Sequence, residues 1–161
     1  MLEVTTQAAI ELSRAAIQAG ADTITISDPV ASGDLLSGDQ YAEFARPYEA
    51  KVFATINVPT ALHICGYTKD LMPHIASTGT LAFSFEEKVE VKDAKAILKN
   101  VRAIGNVAPV RALLNGGPDD VLREANKCFE DGVDLLSSGC AVPPLTTLDN
   151  LRAMAAAAEA R

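Results

Sequence analysis

The chain has 161 residues, of which 48% are hydrophobic and 22% charged, a composition typical of one folded domain and not of a disordered segment. Its net charge of −7 disfavours nucleic acid and anionic lipid as partners, and no apolar run approaches the ~20 residues of a membrane helix. The three cysteines are an odd number and the N-terminus does not resemble a signal peptide, so we expect reduced thiols and a cytoplasmic protein.

The first third of the chain predicts a helix, a strand and a second helix. Residues 3–19 place apolar side chains at helical spacing. Residues 23–26 form a short β-branched strand, which a loop rich in Gly, Ser and Asp follows. We expect the second helix over residues 39–53, with Asp39 as its N-cap and with a kink or an interruption at Pro47.

The middle of the chain alternates short apolar strands with amphipathic helices. The strand pattern recurs where β-branched and aromatic residues cluster, and each strand is followed by a helical pattern or a turn. The predicted elements are, in chain order, a strand at 60–64, a helix at 68–77, a strand at 80–85, a helix at 91–100 and a strand at 101–107.

The last third continues the alternation, with a helix at 118–131, a strand at 133–138 and a helix at 147–161. A helix and a strand are thus repeated five times before a closing helix, an order that predicts an α/β fold with a parallel sheet. Five strands suit an open doubly wound sheet. They also suit five-eighths of a TIM (β/α)₈ barrel, which needs about 250 residues in all.

Polar and reactive side chains gather at the carboxyl ends of the predicted strands. These ends meet on one face of a parallel α/β fold, where active sites are built. The residues at the five strand ends, in order, are Asp28, His63 with Cys65, Glu86, Asn106 and Cys140.

His63 and Cys65 are two residues apart, so on a strand both side chains point to the same face. Imidazole nitrogen and thiolate sulfur are zinc ligands, and Cys140 offers a second sulfur from a strand that we expect to be a near neighbour in a barrel. The alternative is a buried cysteine beside a hydrogen-bonded histidine. Cys128 lies in mid-helix on a packing face, so we assign it to the core, and His74 has no Cys or His at ligand spacing, so we expect a surface or packing role for it.

An ordered set of motifs resembles the uroporphyrinogen decarboxylase superfamily. Within it, the His-x-Cys…Cys pattern is similar to the methylcobamide:coenzyme M methyltransferase branch. The residues that carry the resemblance are Gly20-Ala21-Asp22, Ser27-Asp28, Phe44, Pro47-Tyr48, His63-Ile64-Cys65-Gly66, Asn106-Val107, Pro109, Ser137-Ser138-Gly139-Cys140, Pro143 and Asn150-Leu151.

The resemblance implies a barrel with Zn²⁺ at the carboxyl ends of its strands. It implies that His63, Cys65 and Cys140 are the zinc ligands. It also implies a carboxylate in the fourth position before a thiol arrives, which is Glu86 or the adjacent Glu87. Asp28 matches a position that faces the pocket in this superfamily, and a helix-capping or loop-ordering role is the alternative.

The branch moves a methyl group from a methylated corrinoid, carried by a partner protein, to a small thiol such as coenzyme M, which zinc holds as thiolate. Members of the superfamily are about twice as long, so we expect residues 1–161 to be one domain truncated at its N-terminal side. Its open edges predict association with an N-terminal half-barrel or with a second copy of the chain.

Three other functions stay open at this point. One is a metal-free enzyme that resembles uroporphyrinogen decarboxylase, although residues from the absent half are missing. The second is a non-catalytic half-barrel subunit. The third is an anion site at residues 115–118, where a Gly-Gly turn precedes a helix N-terminus.

Overall fold

The computed structural model describes residues 1–161 and contains one sheet of five parallel strands. The strands lie in space in the order in which they follow in the chain, and each pairs only with its sequence neighbours. A doubly wound sheet reverses its strand order at a switch point, so the unbroken order identifies part of a TIM barrel. The strands are β1 (Ile24–Ser27), β2 (Thr60–His63), β3 (Ala82–Ser84), β4 (Arg102–Val107) and β5 (Leu135–Ser138).

The helices connect the strands and cover one face of the sheet. No helix has both the length and the apolar character that crossing a membrane requires. The helices are α1 (Leu2–Gln18), α2 (Gly38–Phe44), α3 (Arg46–Phe53), α4 (Met72–Ile75), α5 (Val91–Leu98), α6 (Pro118–Glu130) and α7 (Leu148–Glu159).

Side chains of the strands alternate between the helix-facing side of the sheet and its inner side. Leu62, Ile64 and Phe83 point toward the helices and are fully buried in a core cluster of 27 residues. Their neighbours His63 and Ser84 point to the opposite face and are half-buried. In β2 and β3 this alternation with a period of two directs Leu62 and Phe83 to the outside of the curved sheet and His63 and Ser84 to its inside.

The predicted helix at 39–53 is two helices, as expected from Pro47, with the break at Ala45. The N-cap of α2, however, is Ser37 and not Asp39. The Ser37 hydroxyl accepts a hydrogen bond from Gln40 N, and the Gln40 side chain accepts one from Ser37 N. This reciprocal pair satisfies two free N–H groups at the helix end, which explains why the cap lies two residues earlier than predicted.

Three short segments differ from the prediction. A 3₁₀ turn at Pro29–Ala31 lies in the region predicted as loop, and a π-helical segment at Pro109–Leu114 was not predicted. The helix predicted at 68–77 is shorter and covers only Met72–Ile75. Each proline stands in the first turn of its element, where it has no N–H to leave unpaired.

A carboxyl group and a phenol are buried together where α2 packs on α3. Glu49 is 4% exposed and Tyr41 is fully buried. The Tyr41 hydroxyl donates a hydrogen bond to Glu49 Oε2, whereas Glu49 Oε1 has no partner. Burial raises the pKa of Glu49 to about 7; the hydrogen bond from Tyr41 opposes this shift, and the charge of Asp28 adds to it. Burial also raises the pKa of Tyr41.

The substitution Glu49→Gln is expected to remove part of the pH dependence of stability. Because the pKa rises from 4.5 to about 7 on folding, the contribution of Glu49 to stability is complete below the lower value and is lost as the pH rises through the higher one. Near pH 8 the variant should therefore be more stable than the wild type by about 3 kcal/mol, and near pH 4 the two should be similar.

Urea unfolding followed by circular dichroism at both pH values measures this difference. If the two proteins show the same change in unfolding free energy between the two pH values, Glu49 is not the responsible group.

Candidate metal centre

The end of β2 presents two ligand-type side chains to the inside of the sheet. His63 and Cys65 alternate with Ile64, whose side chain is fully buried on the helix side. The backbone there is fixed from both sides, because Asp28 N donates to His63 O at 3.0 Å and Ile64 N donates to Ser84 O at 3.4 Å. The His-x-Cys pair is thus held at the mouth of the barrel, as the spacing predicts.

Cys140 joins this pair from the loop that follows β5. The prediction that its strand is a near neighbour of β2 is wrong, because β3 and β4 lie between them. The Cys140 sulfur reaches the His63–Cys65 pair because the sheet is curved and the loop after β5 runs inward. Gly139 N donates to Val107 O at 2.8 Å, and a Cβ at Gly139 would lie 3.0 Å from Glu86 Cα. A side chain at this position would press against the end of β3, so glycine favours the close approach of the loop.

The three side chains have the spacing of a zinc site. Cys65 Sγ lies 3.4 Å from His63 Nε2 and 3.5 Å from Cys140 Sγ, and the three ligand atoms lie within 4.8 Å of one another. With bonds of about 2.3 Å to sulfur and about 2.0 Å to nitrogen, tetrahedral angles place two sulfurs about 3.8 Å apart and a sulfur and a nitrogen about 3.5 Å apart. The donor set and its distances therefore fit Zn²⁺.

The protonation of these groups follows from their surroundings. Burial lowers the pKa of His63, while a hydrogen bond to Ser84 and the charge of Glu86 act in the opposite direction. Burial raises the pKa of Cys65 to about 11, and the neighbouring Cys140 and Glu86 add to this shift. The imidazole is thus in its neutral, ligand-competent form at neutral pH, whereas the Cys65 thiol must lose a proton when it binds a cation.

The predicted carboxylates lie at different places around the site. Glu86 is half-buried and close enough to influence the pKa of both His63 and Cys65. Glu87 lines a separate cavity of about 320 Å³ between α5 and α6. Asp28 lines a third region, a largely apolar cavity of about 440 Å³. None of these carboxylates belongs to the cluster of three ligand atoms.

Asn106 does not join the metal centre, contrary to the expectation that all strand-end residues share one pocket. Its amide donates to Val89 O at 2.8 Å, and its Oδ1 faces Cys128 Sγ at 3.4 Å. Asn106 therefore ties the loop before α5 to the outer layer. Cys128 is buried there, as predicted, and His74 is half-buried near the Tyr41 ring, in agreement with the predicted surface or packing role.

The predicted anion site at residues 115–118 is occupied by the chain's own carboxylate. Asp120 Oδ2 accepts a hydrogen bond from Gly117 N at 2.9 Å, which takes up the donor that an anion would need. Asn150 donates to Leu113 O and Gly116 O, both at 2.9 Å, and so fixes the same turn from α7. This turn has a structural role.

Ser84 contacts the site but was not predicted from the sequence. Its hydroxyl lies 3.0 Å from His63 Nδ1, on the side of the ring away from the sulfurs. The signal in the sequence is weak: Ser84 precedes Glu86 by two residues and so shares its face of β3.

Comparison with known proteins places the chain among relatives of about twice its length. It is 39% identical over 158 residues to the methylcobamide:CoM methyltransferase MtaA of Methanosarcina barkeri, covering 97% of this chain and 47% of that protein. It is 38% identical over 148 residues to the methylcobamide:CoM methyltransferase MtbA of Methanosarcina acetivorans, covering 90% of this chain and 44% of that protein.

A solved structure of a methyltransferase from Methanosarcina mazei superposes with a TM-score of 0.95 at 37% identity, covering 98% of this chain and 48% of that one. The chain thus spans about half the length of the relatives that it matches. The family model described as uroporphyrinogen decarboxylase (URO-D) matches residues 1–161, so the chain belongs to the uroporphyrinogen decarboxylase family.

Proposed function

We propose that this chain forms the zinc-binding part of a methyltransferase that moves a methyl group from a methylated corrinoid to a small thiol such as coenzyme M. The observation that carries the proposal is the convergence of His63, Cys65 and Cys140 at distances that suit Zn²⁺. The reaction class comes from relatives named methylcobamide:CoM methyltransferases, and the corrinoid and the thiol are the partners that those names imply.

When bound, Zn²⁺ supplies Lewis-acid chemistry that keeps a substrate thiol deprotonated near neutral pH, well below the usual thiol pKa of about 8.5. The residues of this chain set the charge of the centre. Cys65 and Cys140 as thiolates balance the two positive charges, and neutral His63 adds none. Three protein ligands are the number found at catalytic zinc sites, which keep a position open for substrate.

We propose Glu86 as the carboxylate that takes the fourth position until a thiol arrives, because its charge acts on both His63 and Cys65. Glu87 stays the alternative, since its buried Oε2 has no hydrogen-bond partner and lies beside Gly139, next to Cys140. The role that the resemblance implies for Asp28 stays a prediction, since its carboxylate lies in the wall of the apolar cavity.

The open barrel supports the expectation of a further polypeptide partner. We propose that residues 1–161 form one domain that a second segment completes, either an N-terminal half-barrel or another copy of the chain. The edge strands β1 and β5 each pair with one neighbouring strand only. Leu135 on β5 is 59% exposed. Strand edges and apolar side chains left open in this way favour association.

Purified protein is expected to bind about one Zn²⁺ per chain, and Cys65→Ser or Cys140→Ser should weaken binding by more than about 100-fold because each removes a thiolate ligand. Metal analysis and competition with a chelator give the stoichiometry and the affinity. Cys128→Ala is the matched control, since this buried thiol lies outside the cluster and its loss should leave binding unchanged. Undiminished zinc in both serine variants would exclude this centre.

Gly139→Ala tests the approach of the loop without removing a ligand. The new Cβ would lie 3.0 Å from Glu86 Cα and 3.2 Å from Glu87 N, so the end of β3 or the loop that carries Cys140 must shift by a few tenths of an ångström. We expect Zn²⁺ affinity to fall about 10- to 100-fold, as for loss of a contact that orients a ligand. In the control Gly117→Ala, the Cβ meets no atom within 4 Å. Equal affinities of the two variants would contradict the role of Gly139.

The reaction itself can be followed with methylcobalamin as donor and coenzyme M as acceptor. Zinc-loaded protein should demethylate the donor, which changes its visible absorbance, and Cys65→Ser should slow this at least about 100-fold because the thiol is then not activated. Equal rates for the two proteins would rule out the proposed function.

A further inference from the structure

A serine hydroxyl contacts the nitrogen of His63 that faces away from the sulfurs. His63 Nδ1 lies 3.0 Å from Ser84 Oγ, while Nε2 lies 3.4 Å from Cys65 Sγ. A neutral imidazole carries one N–H, so a hydroxyl oxygen that accepts from Nδ1 leaves the lone pair of Nε2 directed at the sulfurs. Only in this tautomer is Nε2 a metal ligand.

The backbone of Ser84 holds the same stretch of β2. Ser84 is the last residue of β3 and stands opposite His63 in the parallel register. Its carbonyl accepts a hydrogen bond from Ile64 N at 3.4 Å. The side chain and the main chain of one residue thus fix both the ring and the strand from which the ring projects, so the direction of Nε2 is set by β3.

We infer that Ser84 is a positioning residue of the metal centre, which selects the tautomer of His63 and orients its ring toward the ion. The inference rests on the proposed zinc function. Ser84 belongs to no group of ligand atoms and acts through His63 alone. Histidine ligands commonly donate their second N–H to such a partner, and loss of the partner lowers metal affinity about 10- to 100-fold.

The neighbouring strand offers a matched control. Ser27 at the end of β1 also stands opposite His63, on its other side. The hydrogen-bonding contacts of the His63 ring, however, are with Ser84 and Cys65. Ser84→Ala removes the hydrogen bond to His63, whereas Ser27→Ala removes a neighbouring hydroxyl that makes no such bond. Comparing the two variants therefore distinguishes loss of the hydrogen bond from a change of a residue next to His63.

The test compares the Zn²⁺ dissociation constants of the full chain and of three variants by chelator competition. We expect Ser84→Ala to bind Zn²⁺ about 10- to 100-fold more weakly. Ser84→Thr, which keeps the hydroxyl, and Ser27→Ala should stay within about threefold of the wild type. Circular dichroism should show the same secondary structure in all four proteins.

A spectroscopic measurement with Co²⁺ in place of Zn²⁺ reports the geometry directly. The visible ligand-field bands of the Ser84→Ala protein should shift relative to the wild type, and those of Ser84→Thr and Ser27→Ala should not. Unchanged affinity and unchanged bands in Ser84→Ala would overturn the inference while leaving the zinc function in place. Equal weakening by both alanine variants would overturn it too, whereas a wild type that binds no metal would refute the proposed function itself.

Discussion

The candidate metal centre depends on the curvature of the sheet. In a flat parallel sheet, β2 and β5 would lie three strand spacings apart, which is about 14 Å. The sulfurs of Cys65 and Cys140 are nevertheless 3.5 Å apart. Curvature toward a barrel shortens this distance, and the loop after β5 covers the rest by passing against the end of β3. The donor set exists only because the five strands bend toward a common axis.

The two faces of the sheet have different roles: the outer face stabilises the fold, and the inner face carries the candidate ligands. Burial of side chains such as Leu62 and Phe83 between the strands and the helices stabilises the fold by about 2 kcal/mol each. The inner face carries His63 and Ser84 instead, which are half-buried and contribute less to the core. A rigid apolar layer thus supports side chains that are free to bind ligands, which is the usual division in this barrel architecture.

Much of this arrangement could be predicted from the sequence, because it follows from local periodicity. The spacing of His63 and Cys65 dictates a shared face, and the alternation of helix and strand dictates a parallel sheet. What could not be predicted depends on tertiary register. Asn106 turns toward the outer layer because backbone carbonyls there need a donor. The contact of Ser84 with His63 requires knowing which residues stand opposite each other.

The distance along the chain between the two cysteines has a consequence for the stability of the fold. Cys65 and Cys140 are 75 positions apart, and β3, β4 and β5 lie inside the loop that they delimit. An ion shared by both would act as a cross-link, and closing a loop of that length removes chain entropy from the unfolded state worth about 4 kcal/mol, by analogy with a disulfide. The same three ligands would thereby stabilise the open barrel, so that the free energy of unfolding would rise when the metal binds.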